Sequence, residues 1–378
     1  MMIIGILILF GLYFLSMLTL MIGFSKVSIF SSKVSSQLTR FSVVIPFRNE
    51  SENLPVLLES ISKLDYGPDL FEIIFVNDFS EDNSEEIILQ FQETTDFSIR
   101  LIQNKHISNS PKKDAISEAI KKANHEWIVT TDADCKLPKN WLKSLDSFIQ
   151  SEECQKNNPV MVCGPVVYKT DETVLQNYQY FDGLSLQAVT IGSFGLKNPL
   201  LCNGANLAYR KDAFEKVNGF FGNNHIASGD DIFLMETLKK SFPGKVKFLK
   251  SRDFIVKTKP QLSWKSVINQ RVRWASKTSQ QQNFSSMFLG VLVFFVNLIF
   301  LILPFLFFFK VDNWILFLLL FTFKIIVDFA VIIRARSFFK GENPLGGFLM
   351  LPLIYSALTS YVVLKSFRGT YSWKSRKY

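Results

Sequence analysis

Asp132 and Asp134 directly follow the apolar run WIVTT (127–131), and Asp78 stands two residues past EIIFV (72–76). Short runs rich in β-branched residues predict strands, so these three carboxylates fall at or just beyond strand ends. In extended chain an Asp-x-Asp spacing turns both side chains to one side. There they can share one hard divalent cation whose other ligands are water and phosphate oxygens, and nucleotide diphosphates need such a cation. An isolated Asp-Ala-Asp more often caps a turn; the strand terminus, with Asp78 at the end of a neighbouring strand, favours the metal. Asp230 and Asp231, in SGDDIFL (228–234), open a predicted helix with Ile232, Met235 and Leu238 apolar, a place where a carboxylate also serves as N-cap. In SVINQRVRWASK (266–277), Gln270, Arg273 and Trp274 fall within little more than one helical turn. Arg offers a bidentate contact to a diphosphate and Trp a flat apolar platform of the kind sugars stack on. Beside a membrane, the same residue types also act as interfacial anchors.

The elements that must position these groups alternate between strand and helix. FSVVIPF (41–47) reads as a strand, followed by a helix with Leu54, Leu57, Leu58 and Ile61 at helical spacing behind an Asn49–Glu52 capping box. EIIFV leads to a helix whose acidic first turn begins at Ser80 and which carries Ile87, Ile88 and Phe91. RLIQ (100–103) precedes a helix with Ala115, Ile116, Ala119 and Ile120 on one face, and WIVTT is the fourth strand. Repeated βα units of this length predict an α/β fold with a doubly wound, mostly parallel sheet, in which ligands bind beyond the carboxyl ends of the strands.

Composition sets this domain between membrane segments. Of 378 residues 48% are hydrophobic, and they are unevenly placed. Residues 2–24 contain no charge and as a helix span roughly 34 Å, enough for a bilayer core. Further apolar stretches run over 286–309, 314–333 and 345–364, the last interrupted by Pro344, Gly346, Gly347 and Pro352 at or near its start, so that a re-entrant or interfacial course competes with a full crossing. The first segment lacks the basic n-region and cleavage site of a signal peptide and reads as a retained anchor. The expected organisation is an N-terminal transmembrane anchor (1–25), a cytosolic domain (40–280), a C-terminal transmembrane region (285–366) with about three helices, and a basic tail (367–378). The net charge of +9 owes much to Lys365, Arg368, Lys374, Arg376 and Lys377 beside the last apolar segment, which points to membrane lipids rather than nucleic acid. Cys135, Cys154, Cys163 and Cys202 form no C-x-x-C pair, which speaks against a zinc site or a disulfide framework and for reduced thiols in the cytosol. Disorder, collagen and small disulfide scaffolds are excluded.

Together these motifs resemble the membrane-bound family 2 glycosyltransferases, which have the GT-A fold and the Asp, Asp, Asp, Gln-x-x-Arg-Trp signature of cellulose, chitin and poly-N-acetylglucosamine synthases and ceramide glucosyltransferases. The resemblance covers about residues 40–280 and rests on VVIPFRNE (43–50), VNDFSEDNS (76–84), TTDADC (130–135) and QRVRW (270–274), in that order. GANLAYRK (204–211), which contains Asn206, is similar to the segment lining the acceptor side, and PKK (111–113) to a basic stretch before the Ala-rich helix. The family usually carries Glu-Asp where this chain has Asp230-Asp231, which leaves Asp230 without an assigned role.

The resemblance implies an enzyme that transfers a sugar, with inversion, from a nucleotide-sugar donor, expected to be UDP-linked, to a hydroxyl of a membrane-associated acceptor. Asp78 would bind uracil or ribose, Asp132 ribose or metal-bound water, and Asp134 would ligate Mn²⁺ or Mg²⁺. Lys112, Lys113, Gln270 and Arg273 would serve the donor diphosphate, Trp274 and Asn206 the acceptor, and Asp231 would be the catalytic base. A lipid or lipid carrier is the favoured acceptor, because few spans offer little wall for a polymer channel. A processive polysaccharide synthase is the alternative, and a non-catalytic nucleotide-sugar-binding membrane protein is disfavoured, since a binder needs neither a base nor an acceptor platform. Lys26, Lys33 and Arg40 follow the first segment while nothing basic precedes it, so the positive-inside rule places the catalytic domain on the cytosolic face of a multi-pass protein of the cell membrane. A topology reporter fused near residue 280 is therefore expected to read as cytosolic; a signal from the opposite side overturns the assignment.

Overall fold

The computed structural model describes residues 2–31, 38–170, 173–224, 226, 228–278, 283–308, 314–340, 351–367, 372–373 and 376–377. Along the chain come α1 (Met2–Lys26), β1 (Phe41–Phe47), α2 (Leu54–Ser62), β2 (Phe71–Asn77), α3 (Ser84–Gln92), β3 (Ser98–Gln103), α4 (Pro111–Lys122), β4 (Trp127–Thr130), β5 (Cys135–Lys136), α5 (Trp141–Ile149), α6 (Glu152–Asn157), β6 (Met161–Cys163) and β7 (Val166–Tyr168). They are followed by α7 (Val174–Gly195), β8 (Leu207–Arg210), α8 (Lys211–Lys216), α9 (Asp230–Ser241), β9 (Val246–Phe248), β10 (Val256–Thr258), α10 (Trp264–Thr278), α11 (Phe284–Phe308), α12 (Trp314–Phe339) and α13 (Leu351–Ser366). These elements form two compact units, one of Ser28–Val167 with Leu201–Lys259, the other of Met1–Val27, Tyr168–Leu200 and Pro260–Tyr378.

The first of these is a layered α/β unit around a sheet of order β3-β2-β1-β4-β8-β6-β9. β1 pairs in parallel with both β2 and β4, β2 with β3, and β6 with β9, while β8 runs antiparallel to β4 and β6. The sheet is thus mostly parallel, as expected. All seven residues of β2 and six of the seven in β1 are buried, because helices cover both faces of a central parallel strand. Continuous apolar runs are the sequence image of that burial. Register places Phe47 opposite Asn77 and Val44 opposite Thr130, so β1, β2 and β4 end along one edge and deliver Asp78 and Asp132 there. β8 arrives from the other direction: Leu207 pairs with Thr130, which brings the preceding Gly204 to the same edge, where its carbonyl accepts from the Thr130 hydroxyl at 3.0 Å.

Two local expectations change. Asn49 does not cap α2; it adopts φ 50°, and its side chain accepts from the Glu81 N–H at 2.8 Å while its own N–H reaches Ser80 Oγ at 3.1 Å. Pro55, with its φ already set for a helix, lies in the first turn of α2 and leaves Asn49 free to tie the β1 and β2 loops together. Asn206, expected beside the acceptor, is fully buried. Its Oδ1 accepts from Trp141 Nε1 at 3.0 Å, and its Nδ2 donates to the carbonyls of Pro165 at 3.0 Å and Phe254 at 2.7 Å. The amide thereby joins four segments of the core, which is the work of a framework residue and not of a substrate contact.

The second unit contains α1, α7 and α10–α13. Three helices among the described residues are long and apolar enough to cross a membrane, over Ile3–Lys26, Phe284–Leu303 and Trp314–Phe339. That makes two C-terminal candidates where about three were expected. α13 has sixteen residues, a rise of about 24 Å, short of a hydrocarbon core of about 30 Å. The start of that expected segment (345–350), with Pro344, Gly346 and Gly347, lies outside the described residues, as do Lys33, Arg368 and Lys374. α1 crosses α7 at backbone contact: a Cβ on Gly195 would meet the Gly23 carbonyl oxygen at 1.8 Å, and one on Gly192 the Leu20 carbonyl oxygen at 2.4 Å. Small residues permit this approach, the packing mode that helices use where lipid removes the hydrophobic drive for association. Inside the unit, Asp328 accepts from Tyr13 and from Lys324, both at 2.6 Å, and Asn297 accepts from Ser356 at 2.7 Å. Polar groups in spans are costly unless paired in this way.

Replacing Asn206 by Ala orphans two carbonyls and an indole N–H in the core, so it is expected to destabilise the α/β unit by about 3 kcal/mol or more. Thermal unfolding of the purified protein checks this; an unchanged midpoint would refute the framework role.

Candidate active site

At the carboxyl edge of the sheet, Asp78 is buried behind the end of β2. Its Oδ1 accepts from Asn104 Nδ2 at 2.7 Å and contacts His106 Nε2 at 2.5 Å. Arg48, from the loop after β1, donates through one nitrogen to the carbonyls of both Asp78 and Phe79 at 2.8 Å, and pairs with Glu81 at 2.9 Å. Phe79 is held at φ 58°, a conformation that bulky side chains avoid, and half its surface is exposed, with its ring edge-on to His106 at a centroid distance of 4.7 Å. Strain of this kind persists where surrounding contacts over-determine it, and here the Arg48 guanidinium fixes the carbonyls on either side of the strained residue.

Lys112, in the first turn of α4, binds Asp132 Oδ1 at 2.8 Å and Asp230 Oδ2 at 3.2 Å. A cation at a helix N-terminus opposes the macrodipole, and burial alone would lower the Lys112 pKa. The carboxylates of Asp132, Asp230 and Asp231 outweigh burial and hold it above its ordinary value, so the ammonium stays charged. Asp230 thus acquires a part: it shares the Lys112 charge with Asp132 and draws α4, the end of β4 and α9 together. Asp231 lies beside it in the first turn of α9, its Oδ2 accepting from the Gly204 N–H at 3.1 Å and its Oδ1 from the Ile232 N–H at 2.8 Å. These two donors fix the orientation of the carboxylate.

Lys113 points elsewhere. It is buried, donates to the carbonyls of Asn223 at 2.7 Å and Ile226 at 3.1 Å, and lies 5.1 Å from the centre of the Phe233 ring. Burial lowers its pKa to about 8 in spite of Asp230, Asp231 and Asp114. The lysine holds the loop before α9 and takes no part in the Lys112 bridge. Asp134, half-buried, lies next to the Cys135 thiol, whose Sγ is 3.7 Å from Asp134 Oδ1. Burial, then Asp134 and Asp132, push that thiol well above its usual value, which removes it as a nucleophile at neutral pH. All four cysteines are free. No cluster of three or more His, Cys, Asp or Glu side chains suited to a metal occurs among the described residues. A cation at Asp134 would therefore have to be completed by water and phosphate oxygens rather than held in an all-protein cage.

Gln270, Arg273 and Trp274 belong to α10 in the second unit. There Gln270 Oε1 lies 3.5 Å from the Tyr168 hydroxyl, and the Trp274 ring lies under the Arg271 guanidinium at 4.1 Å. Sequence reasoning passed over Arg271, His106, Asn104 and Arg48. Arg48 lay within VVIPFRNE and Arg271 within QRVRW, but their roles depend on partners distant in sequence; Asn104 and His106 had no local signal.

The glycosyl transferase family 2 profile matches residues 42–217. The chain carries a family 2 glycosyltransferase domain. Glycosyltransferase AglE from Haloferax volcanii is 26% identical over 201 residues, covering 53% of this chain and 61% of that protein. Poly-beta-1,6-N-acetyl-D-glucosamine synthase from Staphylococcus epidermidis is 27% identical over 249 residues, covering 63% and 54%. An undecaprenyl-phosphate 4-deoxy-4-formamido-L-arabinose transferase from Photorhabdus laumondii is 36% identical over 104 residues, covering 27% and 31%. The chain thus matches less than two thirds of the length of each of these relatives. Among solved structures, the mannosyltransferase PcManGT from Pyrobaculum calidifontis, in complex with GDP-Man and Mn2+, aligns over 96% of this chain and 95% of its own with TM-score 0.57 at 16% identity, a shared GT-A fold.

Because glycine accepts φ near +60° without the Cβ penalty, Phe79→Gly is expected to stabilise the protein by about 1 kcal/mol. Thermal unfolding measures this, and a lowered midpoint would place the Phe79 side chain among the stabilising contacts instead.

Proposed function

We propose that the protein is an inverting, metal-dependent glycosyltransferase that moves a sugar from a nucleotide sugar, UDP-linked in the first instance, to a hydroxyl of a membrane-associated lipid or lipid carrier. The observation that carries this reading is the Lys112 bridge, which joins Asp132, within the residues that the family 2 glycosyltransferase profile matches, to Asp230, with Asp231 beside it in the first turn of α9.

In this reading Asp78 receives the nucleoside, and Lys112 contributes fixed positive charge near the diphosphate. Asp231 takes the proton from the acceptor hydroxyl as that oxygen bonds to the anomeric carbon. The bond from that carbon to the diphosphate breaks in the same displacement, and its electron pair leaves with the nucleoside diphosphate. One displacement inverts the configuration and needs no enzyme nucleophile, which agrees with the raised Cys135 thiol. Asp134, with Asp132 beside it, would hold Mn²⁺ or Mg²⁺, which when bound would neutralise charge on the leaving diphosphate. The Mn2+ named for the mannosyltransferase of the same fold is consistent with that choice. Arg273 would add charge at the diphosphate, and Trp274 would form the floor under the acceptor.

The lipid acceptor is supported by the three helices among the described residues that are suited to crossing a membrane, and by the match to an undecaprenyl-phosphate transferase. A processive polysaccharide synthase is the second reading, favoured by the match to the poly-N-acetylglucosamine synthase. In either case the α/β unit would face the cytosol, where nucleotide sugars are made.

Purified protein in proteoliposomes, given a panel of labelled UDP- and GDP-sugars, is expected to yield a lipid-soluble product; a polymeric product selects the second reading. Chelation by EDTA is expected to abolish transfer and Mn²⁺ or Mg²⁺ to restore it, while Asp134→Ala resists rescue; full activity in chelator refutes the metal assignment. In Asp231→Asn transfer is expected to fall by about 10² to 10⁴ with nucleotide-sugar affinity within a few-fold of wild type. Near-normal turnover in that variant would move the base to Asp230, if Asp230→Asn is inactive, or remove the mechanism altogether.

A further inference from the structure

Asp182 and Gly183 stand side by side in the middle of α7, both among the residue types that a helix interior favours least. Where local propensity is broken in this way, another constraint has overridden it. Asp182 is buried, and its carboxylate meets the Arg271 guanidinium of α10 in a direct ion pair with both side chains nearly withdrawn from solvent. Arg271 in turn lies 4.1 Å from the centre of the Trp274 ring. Gly183 serves the neighbouring position: a Cβ there would approach Tyr168 Cδ2 to 2.9 Å, so the missing side chain admits the tyrosine ring, whose hydroxyl lies 3.5 Å from Gln270 Oε1. Adjacent residues of one helix therefore reach, each through one intermediary, two members of the Gln-x-x-Arg-Trp face.

An interfacial arginine would extend its head toward lipid phosphates. Arg271 is turned inward, where a guanidinium is tolerated only with its charge matched, and its planar face lies along the indole. Asp182 is the carboxylate that matches this buried charge, with the Tyr168 and Tyr178 hydroxyls as lesser neighbours, so its loss removes the main constraint that keeps the cation over Trp274. We propose that Asp182, acting through Arg271, and Gly183, acting through Tyr168, are positioning residues, the first setting the Trp274 ring for the acceptor and the second setting the Gln270 amide for the donor. This rests on the reading of Trp274 as the acceptor platform.

The test uses the full chain in proteoliposomes, with undecaprenyl phosphate as acceptor probe and UDP-N-acetylglucosamine and GDP-mannose as donor probes. It also uses near-ultraviolet circular dichroism, in which the Trp274 contribution is wild type minus Trp274→Phe. In Asp182→Asn and in Arg271→Lys, which keeps the charge but lacks the planar stack, that contribution is expected to vanish while far-ultraviolet dichroism is unchanged. The acceptor KM is expected to rise about tenfold, between the sizes of an exposed and a desolvated cation–π contact, with donor KM and kcat within about threefold of wild type. Asp182→Glu, which retains the carboxylate, should recover part of both signals, and Gly183→Ala should raise the donor KM without removing the ion pair. An unaltered Trp274 contribution in both Asp182→Asn and Arg271→Lys overturns the proposal, whether or not these probes are turned over. If the contribution vanishes but Trp274→Ala leaves the acceptor KM unchanged, the acceptor reading fails and the positioning of Trp274 stands.

Discussion

Parallel pairing of β1 with β2 and β4 sets the position of the α/β unit's functional groups. In-register parallel strands end level, so the loops that follow them emerge along one edge, and the polar residues of those loops meet because the strands beneath them are apolar and buried. Asp78 and Asp132 reach that edge from β2 and β4. β8, running the other way, contributes residues from its start rather than its end, which is how Gly204 comes to donate to Asp231. Reversing that one strand would carry the Gly204–Asn206 turn to the far side of the sheet.

Gathering carboxylates at one edge concentrates negative charge, and Lys112 offsets it. One ammonium group serves Asp132 and Asp230, and the field of Asp231 adds to theirs in keeping it charged. The opposite end of the sheet shows the same principle in a structural role. Buried Glu72 accepts from Ser42 at 2.6 Å and from the Asn124 N–H at 2.7 Å, and pairs with Arg100. Burial would raise its pKa, but these donors hold it below the usual carboxylate range. Satisfied in this way a buried carboxylate is stable and inert, whereas the groups around Lys112 remain partly open, as a substrate site requires.

The second unit is governed by a different constraint. The exposed faces of α1, α11 and α12 are largely apolar, so in lipid hydrophobic burial would contribute little to association between these helices, and specificity passes to close backbone approach and to paired polar groups. Gly23 against Gly192 and Gly195 is the first kind; Tyr13, Lys324 and Asp328, and Asp182 with Arg271, are the second. α7 takes part in both, meeting α1 through glycines and α10 through a charge.

How much of this was legible in the sequence follows from the range of the forces involved. Strand ends, helix starts and membrane segments are written in runs of a few to about twenty-five residues, and these local patterns located Asp78, Asp132, Asp134, Asp231 and the Gln-x-x-Arg-Trp helix and predicted a mostly parallel α/β sheet. Hydrogen bonds and ion pairs between segments leave no such trace. Asn206 sits in a motif that suggests an acceptor contact, yet its amide is held by Trp141, Pro165 and Phe254. Adjacent Lys112 and Lys113 look alike in sequence, but helical geometry turns one to Asp132 and Asp230 and the other to the carbonyls of Asn223 and Ile226. Asp182 and Gly183 belong to no motif in the sequence, and only packing against α10 and Tyr168 gave them partners. Composition and spacing determined which residues were available at each strand end and helix face; tertiary structure decided which of them face one another, because contact between residues distant in sequence is set by the packing of whole elements and not by the neighbours of either residue.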